Sequence, residues 1–202
     1  MKSSGPKSDI EDCLLDAADR LLARDGYRKM TMDDLADEVG VGKGTIYLHF
    51  RGKEDLILSH IDRVMRRLLG SLQRIGLKPS SSADKICDML LLRVMYRFDS
   101  VRHFTESLSE MLRDIRPMVL RRRQQYFEAE SAVFAGEVKK GQKRGEFRRQ
   151  DCAGIAWSLI EATNSLLPFD LSADELGERA AIEERTSRIA DLLLNGLRAR
   201  SP

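Results

Sequence analysis

The residues best suited to chemistry in this chain lie between Lys43 and Lys53, a stretch with three basic side chains, one histidine and no acid. It interrupts an acidic region. Residues 1–60 carry nine Lys/Arg against twelve Asp/Glu, although the whole 202-residue chain is nearly balanced at +2. A small basic patch on an acidic background fits a localised contact with DNA better than broad, non-specific adhesion. Catalysis finds no comparable support. There is no glycine-rich phosphate loop, and His49, His60 and His103 suggest no catalytic pairing. Cys13, Cys87 and Cys152 are far apart and lack metal-ligand spacing, so they read as reduced thiols of a cytoplasmic protein. No enzyme activity, metal or cofactor is expected. No apolar run approaches the ~18 residues that would span a bilayer, and the polar start, Met1 to Asp9, lacks the apolar stretch of a signal peptide.

The patch must be positioned by helices. Apolar residues recur at helical spacing almost everywhere and alternation is absent, so the chain reads as all-α, with about nine helices. Ile10, Leu14, Ala17, Leu21 and Leu22 line one face of a first helix that Gly26 should end. Thr31 and Asp34 have capping-box spacing, and Met30 and Leu35 stand at the two positions of a hydrophobic staple. Short helices are predicted over about 32–39 and 43–50, then a long one over 53–75. The loop Gly76 to Ser82 follows, then helices over 83–98, 101–115, 117–144, 152–167 and 173–199.

Residues 32–51 satisfy the geometry of a helix-turn-helix. Ala36 is small enough for a close crossing, Gly40 falls at the turn, and Ile46, ten residues after Ala36, can be buried on the second helix. Leu35, Val39 and Phe50 would complete the small core against Leu14 and Leu21, leaving residues 43–45 and 47–49 facing outward.

The surrounding residues sharpen this. Asp25-Gly26-Tyr27, Thr31 to Ala36, and Val39 to Leu56 closely resemble the tetracycline-repressor (TetR) family, over about residues 10–60. The resemblance implies a three-helix DNA-binding domain, drawn here as residues 1–55, followed by a helical ligand-binding and dimerisation domain, 56–202. Chemistry and resemblance together suggest that Thr31 and Lys53, at helix starts, hold phosphates. Tyr47 and His49 suit phosphate contacts, Lys43 suits a guanine edge, Gly44 permits close approach, and Thr45 offers a hydroxyl. Two departures from the family are Gly42, where a capping residue is common, and Leu48, where an aromatic or polar residue is frequent.

The remaining helices are read partly through the resemblance. Ile155, Leu159 and Leu166 on one helix, with Ile189 and Leu193 on the last, belong to apolar arcs wide enough to need partners on two sides. The resemblance implies that they form a homodimer interface. Phe104, Met111, Tyr126, Phe127 and Trp157 are the candidate lining of an effector pocket. Arg93, Arg97, Arg102 and His103 could serve an anionic effector, although a solvated face is the plainer reading. The function implied is a cytoplasmic, dimeric repressor that binds a palindromic operator in double-stranded DNA and is released by a small-molecule effector. The alternatives are a helical protein-interaction module, or a DNA-binding regulator that activates or needs no ligand.

Overall fold

The structure is a computed structural model describing residues 6–101, 113, 115–168 and 173–197. Its nine helices among those residues are α1 (Pro6–Lys29), α2 (Met32–Val39), α3 (Lys43–Tyr47), α4 (Lys53–Ile75), α5 (Ser82–Val101), α6 (Arg116–Lys143), α7 (Cys152–Asn164), α8 (Ala173–Leu176) and α9 (Arg179–Leu197). The expected all-α architecture is observed, and the capping and turn residues account for its first half. The Thr31 hydroxyl accepts from the Asp34 amide at 3.1 Å, while Asp34 Oδ2 accepts from the Thr31 amide at 2.8 Å. Gly40 closes α2 in the left-handed region at φ 73°, where a side chain would be strained.

Several elements differ from the sequence expectation, and the helix expected over 101–115 lies largely outside the described residues. Gly26, at φ 75°, kinks α1 rather than ending it, and one more helical turn follows. The second helix of the pair is shorter, ending at Tyr47 rather than Phe50. Its last turn tightens as His49 N bonds the Ile46 carbonyl at 2.9 Å, which carries Phe50 into the core. The single helix expected over 173–199 is divided into α8 and α9, with Gly177 between them at φ 87°.

Two main cores follow from this order. The N-terminal core gathers Leu14, Leu21, Leu35, Ala36, Ile46 and Phe50, together with Leu56 to Leu58 from the start of α4 and Ile115 and Val119 around the start of α6. It therefore crosses the division drawn at residue 55. The C-terminal core joins Leu68 and Leu72 of α4 to Met89, Phe134, Ile160 and Leu194, with α5 packed along α9 and α6 along α7. Phe147 lies so close over Gly141 that a Cβ there would meet its ring at 2.3 Å, which explains a glycine near the end of α6.

A buried arginine clasps α4 to α1. Arg63, buried on α4, donates to the Asp12 carbonyl at 3.0 Å and pairs with Asp16 at 2.7 Å. One turn earlier, buried His60 lies 3.5 Å from Asp19. Burial lowers the His60 pKa below its ordinary 6.5, and the positive charges of Arg63 and Arg67 add to that, against the opposing pull of Asp19 and Asp16. Asp19 is half exposed, so its attraction is screened and burial prevails. As pH falls through 6.5 the unfolded chain takes up this proton first, so the contribution to stability is complete above that pH and is lost on acidification. Urea unfolding at pH 8 and pH 5.5 is expected to show native chain losing more stability on acidification than His60→Gln. A larger loss by the variant would reverse the assignment and make the Asp19 attraction dominant.

Candidate nucleic-acid interface

The recognition surface is built on a helix of five residues, Lys43–Tyr47. Ile46 is its anchor, fully buried between α1, α2 and α4. With Ile46 inward, Lys43, Gly44, Tyr47 and Leu48 are exposed, and Thr45 and His49 lie at the margin. Gly42 precedes α3 with no side-chain cap. A Cβ on Gly44 would meet nothing within 4 Å. Its missing side chain thus serves no packing among the described residues, and an approaching surface would sense it.

The candidate donors differ in how they are held. Lys43 Nζ sits 2.6 Å from Asp33 Oδ2, with both side chains exposed, so reaching a base edge requires it to leave that partner. Thr31 donates to Asp34 through both its amide and its hydroxyl, at 2.8 and 2.7 Å. Those bonds hold the Asp34 carboxyl below the usual carboxylate range, and the role they define for Thr31 is a local cap. Lys53, in the first turn of α4, lies over the Tyr27 ring, 4.2 Å from its centroid, with its ammonium 3.4 Å from the Arg28 carbonyl. That contact ties the start of α4 to the last turn of α1, which carries Arg28 and Lys29. The His49 ring is tilted against Phe50 at 6.4 Å.

One residue of this surface was missed as a candidate. Leu48 is 85% exposed, the most exposed large hydrophobic side chain among the described residues. Its signal in the sequence was an apolar side chain on the outward face of a helix whose inward position is already filled by Ile46. An apolar group of this kind suits contact with a thymine methyl.

The other candidates are dispersed. Phe104, Met111, Arg102 and His103 lie outside the described residues. Tyr126 donates its hydroxyl to Asp62 of α4, which with burial raises the phenol pKa. Phe127 and Trp157 meet edge to face at 6.3 Å. Arg93 corrects the expectation of a solvated face. It is 1% exposed and bonds Glu130 at 2.6 Å, Thr163 at 3.1 Å and Asn164 at 2.8 Å. Leu159 is buried in the chain's own core, Leu166 packs beside Val94 and Met95, and Ile155, Ile189 and Leu193 are half-buried. Among the described residues no three His, Cys, Asp or Glu side chains are placed to hold a metal, and no helix is long and apolar enough to cross a membrane.

Comparison with known proteins bears on the same region. Residues 14–59 match the sequence profile described as bacterial regulatory proteins, tetR family. An uncharacterized HTH-type transcriptional regulator of Haemophilus influenzae is 37% identical over 68 residues, which is 34% of this chain and 36% of that relative. The HTH-type transcriptional regulator QacR of Staphylococcus aureus is 22% identical over 192 residues, covering 93% of this chain and 98% of QacR. A crystal structure of a transcriptional regulator from Cytophaga hutchinsonii shares the fold, with TM-score 0.80 at 19% identity over 93% of this chain and 98% of that one. The matched stretch contains the capping box, the left-handed Gly40, the buried Ile46 and the exposed face of α3. Residues 14–59 therefore carry the helix-turn-helix module of the tetR family of bacterial regulatory proteins, with α2 and α3 as its two helices.

Proposed function

We propose that the protein is a homodimeric repressor that binds a palindromic operator and leaves it when a small molecule occupies the C-terminal helices. The observation that carries the DNA contact is the outward face of α3, where a Cβ on Gly44 would meet none of the described residues and Tyr47 and Leu48 are 54% and 85% exposed beside Lys43. Lys53 and Arg51 flank that face and suit phosphates. Lys43, Thr45 and Tyr47 are the side chains for base or backbone contacts, with His49 at the margin. Thr31 acts through the cap that orients α2.

Two copies are needed to read successive major grooves, because the recognition helices must then stand ~34–36 Å apart. The face proposed for pairing lies on α7 and α9. Leu192 is 74% exposed there, and Ile155, Leu193 and Leu197 border a shallow groove of about 360 Å³. Release by an effector is supported by the helices common to both cores. Helix α4 runs from Leu56 to Leu72 through the two of them, and the start of α6 packs into the N-terminal core while its middle lies in the C-terminal one. A ligand that shifts α6 or α4 would move the recognition helices and change their spacing.

Selection of bound sequences from randomised duplex DNA at fixed salt is expected to yield a palindrome. Lys53→Ala should weaken binding to every sequence and lower the salt slope by about one, and Tyr47→Ala should weaken binding further. Retention without a common sequence would favour a protein-interaction role instead. Gly44→Ala separates folding from DNA contact. It should raise stability by a few tenths to about 1 kcal/mol, as alanine does in helices, while reducing operator affinity. Equal affinity would show that the backbone does not approach the groove at Gly44. For the dimer, Leu192→Glu should sediment as a folded monomer with an unchanged helical circular dichroism spectrum. A persistent dimer would place the interface elsewhere.

A further inference from the structure

Three arginines surround one aromatic ring inside the C-terminal helices. The guanidinium carbons of Arg93, Arg97 and Arg123 stand 5.5, 5.4 and 4.8 Å from the centroid of Phe127. Among the described residues, one carboxylate, Glu130, answers them. Its two oxygens are divided, Oε2 accepting from Arg93 and Oε1 from Arg97. Arg93 is fully committed, with Thr163 and Asn164 taking its other nitrogens.

Arg97 is not. Its Nε is buried with no hydrogen-bond partner among the described residues, although 21% of the side chain still reaches solvent. Leaving a charged donor desolvated without an acceptor is costly, and a second cation on the same carboxylate adds repulsion. Burial and the charge of Arg93 push the Arg97 guanidinium down to about 10. Arg123, on the exposed side of α6, adds its charge to both of the others and has no acid paired with it among the described ion pairs. The cluster therefore holds one buried positive charge in excess of Glu130 and a second cation at its rim. Apolar surface adjoins it, since Phe127 and Trp157 are half-buried and meet edge to face.

We propose that this cluster is the recognition site for an organic monoanion, whose carboxylate is held by Arg97 and Arg123 and whose apolar body lies against Phe127 and Trp157. A carboxylate supplies the acceptor that Arg97 Nε lacks and neutralises the single buried excess charge. The site rests on the reading of these helices as an effector domain and names the class of ligand they take. It also places that ligand on α6, the helix whose start packs against the recognition module.

The test is titration calorimetry on the full chain with decanoate, decanol and decyl phosphate as probes of equal chain length. Decanoate is expected to bind about tenfold or more tightly than decanol, as a charge-assisted hydrogen bond provides, and more tightly than decyl phosphate. Arg97→Gln leaves Glu130 paired with Arg93 and should abolish the preference for decanoate. Arg123→Gln alters an exposed position, so it should fold normally, and it is expected to weaken decanoate several-fold without changing decanol. Equal affinities for decanoate and decanol, no binding of any probe, or decanoate binding that survives both substitutions would overturn the site. Tighter binding of decyl phosphate would overturn the carboxylate assignment. The release of operator DNA is read separately. Decanoate binding with the expected preference but unchanged DNA affinity would uphold the anion site and overturn effector release.

Discussion

A helix of five residues has no stability of its own, because isolated helices shorter than about a dozen residues are marginal in water. The recognition helix exists because Ile46 is fully buried and Phe50, just beyond its end, is 1% exposed in the same core. Leu14 and Leu21 from α1, Leu35 and Ala36 from α2 and Leu56 to Leu58 from α4 close around them. Every outward residue of α3 takes its direction from that inward pair. The requirement also explains the two glycines with different duties. Gly40 is conformational, holding a left-handed turn that brings α3 across α2. Gly44 lies in ordinary helix with empty space where a Cβ would be, so its smallness concerns what lies outside the chain.

The same packing makes the recognition module inseparable from the rest of the chain. A module of fifty-five residues would end before Leu56, yet Leu56 to Leu58 are core residues of the N-terminal unit, and Ile115 and Val119 join it from about sixty positions later. Helix α4 is roughly 34 Å long at 1.5 Å per residue and carries core side chains of both units. Buried Arg63 ties it to Asp12 and Asp16 of α1. A helix held at both ends by close-packed cores passes on displacement instead of absorbing it, since such packing tolerates little deformation. Phe127 packs against the C-terminal core that α4 shares, and the start of the same helix, α6, packs into the N-terminal one.

What could be read from the sequence follows from how local each signal is. Thr31 and Asp34, Gly40, and Ala36 with Ile46 act within a span of sixteen residues, and the structure reproduces their expected arrangement. The end of α3 was missed because Phe50 leaves the helix to reach a distant core, so a tertiary demand overrides local propensity. Gly177 was read through as helix, and it is a break because a left-handed glycine there separates α8 from α9. Leu159 shows the limit of periodicity. A wide apolar arc marks a helix that needs partners on two sides, but it does not say which residues face the chain's own core, and Leu159 does. Leu48 shows the converse, an apolar residue on the polar side of a short helix.

Arg93 was the least legible residue, and the reason is physical. An arginine in a helical stretch is almost always solvated. Its burial depends on Glu130, 37 positions away, and on Thr163 and Asn164, about 70 away. No short-range pattern announces such a set. Stability alone does not account for it either, because a well-packed apolar group in place of a buried ion pair is often as stable or more so. What the set does is join α5, α6 and α7 through directional bonds, so that these helices keep one relative register. Arg97 is incompletely bonded within the same set. Arg93 and Glu130 would satisfy each other without a second guanidinium, so the excess charge contributes nothing to the register that Arg93 has already set. It does give the centre of these helices a charge state that an anion would change, on the helix whose start packs into the N-terminal core.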